Sequence, residues 1–97
     1  MAKAYIISDV AFRDKGAVAA CRELAAASIS RYGGRYIVRG GRIVVLEGKW
    51  RPTILIVVEF PSRAVAEEWY RSPEYAKALA YRDAALDRNL IMVDGVA

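Results

Sequence analysis

The spacing of apolar positions changes several times along the chain, and each change predicts a new element of secondary structure. Residues 4–10 read Ala-Tyr-Ile-Ile-Ser-Asp-Val, an aromatic and β-branched run that predicts a strand covered on both faces. Between about 15 and 32 the apolar residues recur every three or four positions, which predicts a helix with one buried face. Asp14 is expected to cap the first turn of this helix, and Gly33-Gly34 to end it.

The middle of the chain is rich in strand-forming residues. Residues 35–47 read as strand interrupted by Gly40-Gly41, and these glycines suit either a hairpin turn or a bulge in one continuous strand. Residues 48–52 predict a turn, and 53–60 form the strongest strand pattern in the chain. A hairpin would make this last strand run parallel to the first one, so we favour the bulge.

The last third of the chain predicts two helices and a closing strand. Ser62 is placed to cap a short helix at about 63–71, and Ser72-Pro73 then starts a second helix that runs to about residue 86. Residues 89–94 complete the pattern as a strand.

This order of elements indicates one α+β domain of 97 residues with a ferredoxin-like βαββαβ fold. Such a fold is an antiparallel sheet with helices on one face. The predicted strands are apolar at nearly every position, so the second face of the sheet must also be covered. A second copy of the chain is the simplest cover, and we therefore expect a homodimer whose two sheets close into an α+β barrel.

Composition excludes several classes of chemistry. Cys21 is the single cysteine and the chain contains no histidine, which rules out an internal disulfide, histidine-dependent nucleophilic catalysis and most zinc sites. We expect no metal or cofactor. The chain also lacks an apolar run of about 20 residues and a recognisable secretion signal, so we expect a cytoplasmic protein that does not enter the membrane.

The net charge of +4 is concentrated in one region. Residues 31–52 hold six basic residues and one acidic residue, a net charge of +5, whereas the remainder, with nine basic and ten acidic residues, carries −1. Clustered arginines suit nucleic acid. The alternation of a strand divides these side chains between two faces, and no RNA-binding aromatic signature accompanies them, so we consider nucleic acid an unlikely partner.

Segments in the second and last thirds of the chain resemble a known family: Tyr-Gly-Gly-Arg-Tyr-Ile-Val-Arg-Gly-Gly at 32–41, Leu-Glu-Gly-Lys-Trp-Arg-Pro at 46–52, Glu-Phe-Pro-Ser at 59–62 and Trp-Tyr-Arg-Ser-Pro-Glu-Tyr at 69–75. In this order they resemble the bacterial family called domain of unknown function 1330, within the dimeric α+β barrel superfamily. The resemblance implies a ferredoxin-like protomer and a barrel-forming dimer, and it implies no established activity. Lys49 and Ile54 depart from the family pattern, in which similar members commonly carry an acidic residue and an arginine.

Arginines and aromatic residues are the candidates for binding a ligand. Arg82 falls on the apolar stripe of the last helix, where it either reaches water or clamps a carboxylate through two parallel hydrogen bonds. Arg35, Tyr36 and Arg39 either face a ligand or hold the dimer together. Trp69 and Tyr75 could line a pocket for an aromatic ligand, although aromatic residues at these spacings more often belong to the core. These six residues are our predicted ligand-binding set.

Two carboxylates are candidates for moving a proton. Glu59 ends an otherwise apolar strand and Asp9 lies near the end of the first strand, and burial of either would raise its pKa toward neutrality. The alternative for Glu59 is a salt bridge to Arg35 or Arg39, and for Asp9 a structural hydrogen bond. Neighbouring antiparallel strands end at opposite edges of the sheet, so the two carboxylates need not be close.

The sequence therefore leaves three functions open. The first is a binding or accessory domain that takes a small organic anion or aromatic acid in a pocket beside the barrel. The second is a cofactor-free enzyme, since the resembled superfamily includes oxygenases and isomerases that act without a metal. Here Glu59 or Asp9 would be the base, and Arg82 or Arg39 the anion clamp. The third is nucleic-acid binding through residues 31–52.

Overall fold

The computed structural model describes residues 2–96 of the chain, which form a four-stranded antiparallel sheet and three helices. The elements in order are β1 (Ala4–Phe12), α1 (Lys15–Arg31), β2 (Arg35–Arg39), β3 (Ile54–Phe60), α2 (Arg63–Tyr70), α3 (Pro73–Ala85) and β4 (Leu86–Asp94). The strand order is β2-β3-β1-β4, with every neighbouring pair antiparallel. This is the ferredoxin-like arrangement that the sequence predicts.

The predicted helix caps are all present. Asp14 Oδ1 accepts hydrogen bonds from the backbone N–H groups of residues 16 and 17, at 2.9 and 3.2 Å. Ser62 and Ser72 accept from the third residue of α2 and α3, at 3.2 and 3.1 Å. At the end of α1, Gly33 adopts a φ of +75°, and the N–H of Gly34 reaches back to the carbonyl of Ile29 at 2.9 Å. Each of these bonds satisfies a backbone group that the helix leaves without a partner.

The core lies between the sheet and the helices. Even-numbered residues of β1 and β3 face the helices, and Phe60 and Trp69 stack there with ring centroids 5.1 Å apart. The indole N–H of Trp69 donates to Ser28 Oγ at 3.0 Å, which satisfies its one polar group inside the core.

The opposite face of the sheet, which we call the open face, is not covered by any helix of residues 2–96. Its centre is an apolar row across three strands, because Val57 and Ile91 are the direct cross-strand partners of Ile7. Ile91 is 58% exposed and the neighbouring Val93 is 44% exposed. An apolar surface of this kind indicates an interaction site.

The prediction of one strand from 35 to 47 with a bulge at Gly40-Gly41 is wrong. β2 ends at Arg39, and its bulge lies at Ile37, between Tyr36 and Val38. The final backbone bond of this edge runs from the N–H of Gly40 to the carbonyl of Leu55, at 3.0 Å. Since β3 begins at Ile54, residues 42–47 have no neighbouring strand to pair with, and they form an exposed loop. The alternative, a hairpin turn at Gly40-Gly41, is not formed either, because β2 pairs with β3 and not with residues 42–47.

The last boundary also differs from the prediction. α3 ends at Ala85 and β4 begins directly at Leu86, three residues before the predicted strand start. β1 is correspondingly longer than predicted, and Phe12 pairs with Leu86. This shift brings Arg88 into β4, opposite Val10 and therefore on the side of the helices.

None of the three helices within residues 2–96 has the length and hydropathy that crossing a bilayer requires.

Candidate functional site

A partly open cavity of about 70 Å³ lies between the sheet and the helices. Strands of the sheet form its floor, and α1, α2 and α3 contribute to its walls. Most of its lining side chains are apolar, including Ile6, Val10, Ile29, Ile56 and Leu90. We call this cavity the sheet–helix pocket.

Tyr36 and Arg39 enter the pocket from β2, and the bulge at Ile37 is the reason that both do so. Residues three apart in a regular strand point to opposite faces. The extra residue restores the phase, so Tyr36 pairs with Val58 and Arg39 with Ile56, both partners facing the helices. The guanidinium of Arg39 lies over the Tyr36 ring, 4.3 Å from its centroid. Burial raises the pKa of the Tyr36 hydroxyl, and the nearby positive charges of Arg39 and Arg22 oppose that shift.

Tyr75 and Arg88 form a second polar pair in the pocket. Tyr75 projects from α3 and is only 2% exposed, and Arg88 Nη2 donates a hydrogen bond to its hydroxyl oxygen. Burial raises the pKa of Tyr75, while Arg88 lowers it through its charge and its hydrogen bond. Because the hydroxyl oxygen accepts from Arg88, the hydroxyl proton of Tyr75 is free to be donated to another group.

The pocket carries positive charge without a compensating carboxylate. Its lining includes Arg22, Arg39 and Arg88, and no Asp or Glu of the described chain contributes to it. Within residues 2–96, no carboxylate oxygen lies within 4.0 Å of the charged nitrogens of these three arginines. The described arginines that do form ion pairs, such as Arg13 and Arg63, lie outside the pocket. The site is therefore suited to an anion.

Cys21 forms part of the pocket wall. Its thiol is buried, and desolvation raises the pKa of the thiol. The positive charges of Arg88 and Arg82 act in the opposite direction and lower it, but by less. A raised pKa keeps the thiol protonated at neutral pH, so Cys21 contributes apolar surface and not a nucleophile.

Four of the six predicted ligand-binding residues line the pocket, namely Tyr36, Arg39, Trp69 and Tyr75. The other two lie elsewhere. Arg82 reaches the surface beside its sequence neighbour Asp83, with 3.4 Å between Nε and Oδ1, and the cleft around it also contains Asp87. Arg35 lies on the open face and pairs with Glu59.

The two candidate bases lie on the open face of the sheet, outside the pocket. Glu59 accepts hydrogen bonds from Arg35 at 2.9 Å, Tyr5 at 3.2 Å and Lys3 at 3.3 Å. The bond from Arg35, with further ones from Lys3 and Tyr5, holds the pKa of Glu59 below its ordinary value despite partial desolvation. This arrangement matches the salt-bridge alternative for Glu59.

Asp9 is separate from Glu59. Its carboxylate accepts a hydrogen bond from the indole N–H of Trp50 at 3.0 Å, which ties the 40–53 loop to β1. Glu59 is the cross-strand partner of Tyr5, four residues before Asp9 on β1, so the two carboxylates are about 13 Å apart along the sheet.

The basic window at 31–52 is divided by the fold. Arg31 pairs with Glu74 on α3 at 3.1 Å, Arg35 pairs with Glu59 on the open face, and Arg39 enters the pocket. These side chains do not form one continuous stripe of free charge of the kind that binds a phosphate backbone.

Sequence reasoning missed Arg88, Arg22 and Ser8 as pocket residues. Arg88 lay outside the predicted strand, although its place in the alternation Leu86, Arg88, Leu90 would have put it on the helix side. Arg22 occurs at helical spacing between Val18 and Ala25, Ile29, so this exposed residue lies on the pocket side of α1.

Among residues 2–96, no three His, Cys, Asp or Glu side chains come together in a way that could hold a metal ion.

Comparison with known proteins supports the family resemblance and the fold. The model of a family described as Domain of unknown function (DUF1330) matches residues 3–96. No curated protein sequence matches the chain. A crystal structure of a protein of unknown function from Rhodopseudomonas palustris is similar, with 24% identity, a TM-score of 0.79, and coverage of 99% of this chain and 84% of that chain.

Two more distant structures share the architecture. One is a dimeric protein of unknown function with a ferredoxin-like fold from Bacteroides fragilis, with 13% identity, a TM-score of 0.61 and coverage of 95% of both chains. The other is SnoaB, described as a cofactor-independent oxygenase from Streptomyces nogalater. It has 8% identity, a TM-score of 0.59, and coverage of 100% of this chain and 96% of that chain. Likeness at such low identities establishes the fold alone.

Proposed function

The chain belongs to the DUF1330 family of domains of unknown function, and we propose that it binds a small organic anion in the sheet–helix pocket. The observation that carries this proposal is the set of pocket arginines, Arg22, Arg39 and Arg88, which have no carboxylate partner within residues 2–96. A guanidinium at an apolar concave surface binds a carboxylate strongly because its paired N–H groups match the two oxygens.

The apolar lining determines the rest of the ligand. Rings of Tyr36, Trp69 and Tyr75 and aliphatic side chains of the sheet surround the cavity, so the body of the anion is uncharged and mostly apolar. A cavity that accepts benzene has a volume of about 150 Å³. The present volume of about 70 Å³ favours a short-chain acid, and an aromatic acid requires the pocket to widen.

A thermal-shift and calorimetry screen with short-chain and aromatic carboxylates tests the proposal. Binding should be lost or weakened at least tenfold in Arg39→Ala or in Arg88→Ala, because the arginine that holds the carboxylate supplies a charge-assisted hydrogen bond worth about 1.5–3 kcal/mol. Arg63→Ala is the matched control, since Arg63 lies outside the pocket and pairs with Glu67. Absence of binding by every carboxylate, or an equal loss in Arg63→Ala, would refute the proposal.

A cofactor-free oxygenase or isomerase is the second candidate function. It is supported by the shared fold of SnoaB, which is described as a cofactor-independent oxygenase. Proton transfer by Glu59 or Asp9 would take place on the open face, where both carboxylates lie, so the anion clamp at Arg39 would serve a different site. An enzymatic activity of the wild type that is lost in Glu59→Gln or Asp9→Asn would support this second function. An activity that is unchanged in both variants would exclude Glu59 and Asp9 as the catalytic base.

We also propose that the domain forms a homodimer through the open face of its sheet. The apolar row of Val57, Ile7 and Ile91 lies at the centre of that face, and a second copy would remove it from water. The structurally similar protein from Bacteroides fragilis is described as dimeric. A cytoplasmic location is proposed as well, and the free, buried thiol of Cys21 supports it.

A further inference from the structure

Ser8 lies at the centre of the pocket floor. It belongs to β1, where Ile56 on β3 and Leu90 on β4 are its cross-strand partners, and it is 6% exposed. Its direct neighbours on this face, Ile6, Val10, Ile56 and Leu90, are apolar, whereas the other polar side chains of the floor come from the two edge strands.

The Ser8 hydroxyl has no hydrogen-bond partner among residues 2–96, and this sets it apart from the other buried serines of that range. Ser28 Oγ donates to the carbonyl of Ala25 at 2.7 Å and accepts from Trp69. Ser72 Oγ donates to the carbonyl of Trp69 at 2.7 Å and accepts from the N–H of Tyr75. Buried hydroxyls are normally paired in this way. Ser8 is instead directed into the pocket with its hydrogen-bonding capacity unused by the protein.

The position of Ser8 relative to the arginines defines how a ligand would meet it. Arg39, Ile56, Ser8 and Leu90 form one cross-strand row on the helix side of the sheet. The Cα atoms of Ser8 and Arg39 are thus two strand spacings apart, about 10 Å. Arg88 lies on the other side, two residues from Leu90 on the adjacent strand β4. Ser8 thus lies on the pocket floor between the two arginines, within reach of the chain of a short acid.

From this geometry we infer that the pocket takes a short-chain carboxylic acid that carries a hydroxyl or carbonyl group on its chain, with that oxygen hydrogen-bonded to Ser8. A serine hydroxyl both donates and accepts, so it serves either oxygen type. No side-chain N or O atom of residues 2–96 is both fully enclosed and without a partner, so the Ser8 hydroxyl is accessible from the pocket, and an unsubstituted acid would displace water from it without offering a hydrogen bond in return. This inference rests on the proposed anion site and assigns its specificity.

Calorimetric titration with matched pairs of acids, propionate against lactate and butyrate against 3-hydroxybutyrate, tests the assignment. The wild-type protein should bind the oxygenated member about three- to tenfold more tightly, the range expected for one additional hydrogen bond. In Ser8→Ala that preference should disappear, and the unsubstituted acid should bind at least as tightly as it does to the wild type, because no hydroxyl remains to be desolvated. Ser30→Ala, which removes an exposed hydroxyl of α1, is the control and should keep the preference.

The outcomes separate the two proposals. Binding of both members with equal affinity, or a preference that survives in Ser8→Ala, overturns the role of Ser8 and leaves the anion site standing. Absence of binding by all four acids refutes the anion site for short-chain acids, and the specificity assignment with it. A thermal melt of each variant verifies that it is folded, since Ser8→Ala removes only an oxygen atom that has no partner within the described chain.

Discussion

Arg88 donates a hydrogen bond to the hydroxyl oxygen of Tyr75, and this contact joins the edge strand β4 to α3 across the sheet–helix pocket. It also fixes a guanidinium beside a cavity that no described carboxylate enters. The pair keeps a positive charge oriented at the wall of a small, largely apolar cavity.

Replacing Tyr75 by Phe should weaken both stability and anion binding. The ring stays in the core, but the charge-assisted hydrogen bond is lost, so the free energy of unfolding should fall by about 1–2 kcal/mol. Carboxylate affinity should fall as well, because Arg88 loses the group that orients it. Urea denaturation and calorimetry measure the two effects. Tyr81→Phe, on the exposed side of the same helix, is the control, and equal behaviour of the two variants would contradict the role of this bond.

Trp69→Ala should destabilise the domain strongly. The indole is 2% exposed, stacks 4.1 Å from the Tyr75 ring centroid and donates to Ser28. Loss of a core tryptophan costs about 3–5 kcal/mol. Trp50→Ala, at a position 60% exposed, should cost only about 1 kcal/mol, through the loss of the hydrogen bond to Asp9. Similar melting temperatures for the two variants would show that the Trp69 ring only lines the pocket.

The ion pairs of Glu59 should make stability depend on pH at the acidic end. Its pKa is lower in the folded protein than in the unfolded chain, first because Arg35 donates a hydrogen bond to the carboxylate. At pH values between the folded and the unfolded pKa of Glu59, the unfolded chain therefore binds more protons than the folded protein. The stabilisation from the ionised carboxylate is complete above the unfolded pKa of about 4.3. It is lost as the pH falls through the folded pKa.

Denaturation of the wild type and of Glu59→Gln, from about pH 7 to about pH 3, measures this effect. The stability difference between the two proteins should shrink as the pH falls. A difference that stays constant over the whole range would show that the carboxylate contributes nothing through its charge.

Ile7→Glu should convert the proposed homodimer into a monomer. The new carboxylate would lie in the middle of the apolar row of the open face, between Val57 and Ile91. Ala84→Glu, on the exposed face of α3, makes the same change in net charge and should leave the dimer intact. Light scattering at micromolar concentration distinguishes these outcomes, and a monomeric wild type would contradict the covered-sheet argument.

The fold was predictable from the sequence because its signals are local. Capping groups at Asp14, Ser62 and Ser72 mark the helix starts, and the strongest apolar runs coincide with β1 and β3. Residues 42–47 have the same local character, but no strand lies beside them within residues 2–96. Strand formation needs a partner, and the sequence does not show where the neighbouring strand begins.

The site was only partly predictable, for a related reason. Periodicity placed Arg82 on the apolar stripe of its helix, yet its long side chain carries the charge out to Asp83 at the surface. Tyr36 and Arg39 share the pocket only because of the bulge at Ile37, which depends on pairing with β3. Arg88 could be assigned to the helix side of the sheet only once the start of β4 was known. Tertiary pairing, and not local pattern, decides which charges meet.

The most direct test of the anion site is a crystal structure of the protein with a bound short-chain carboxylate. We expect the carboxylate to lie in the sheet–helix pocket, within hydrogen-bond distance of Arg39 or Arg88 and with its carbon chain above the floor at Ser8. A carboxylate bound instead in the cleft of Arg82 and Asp83, or on the open face beside Glu59, would contradict it.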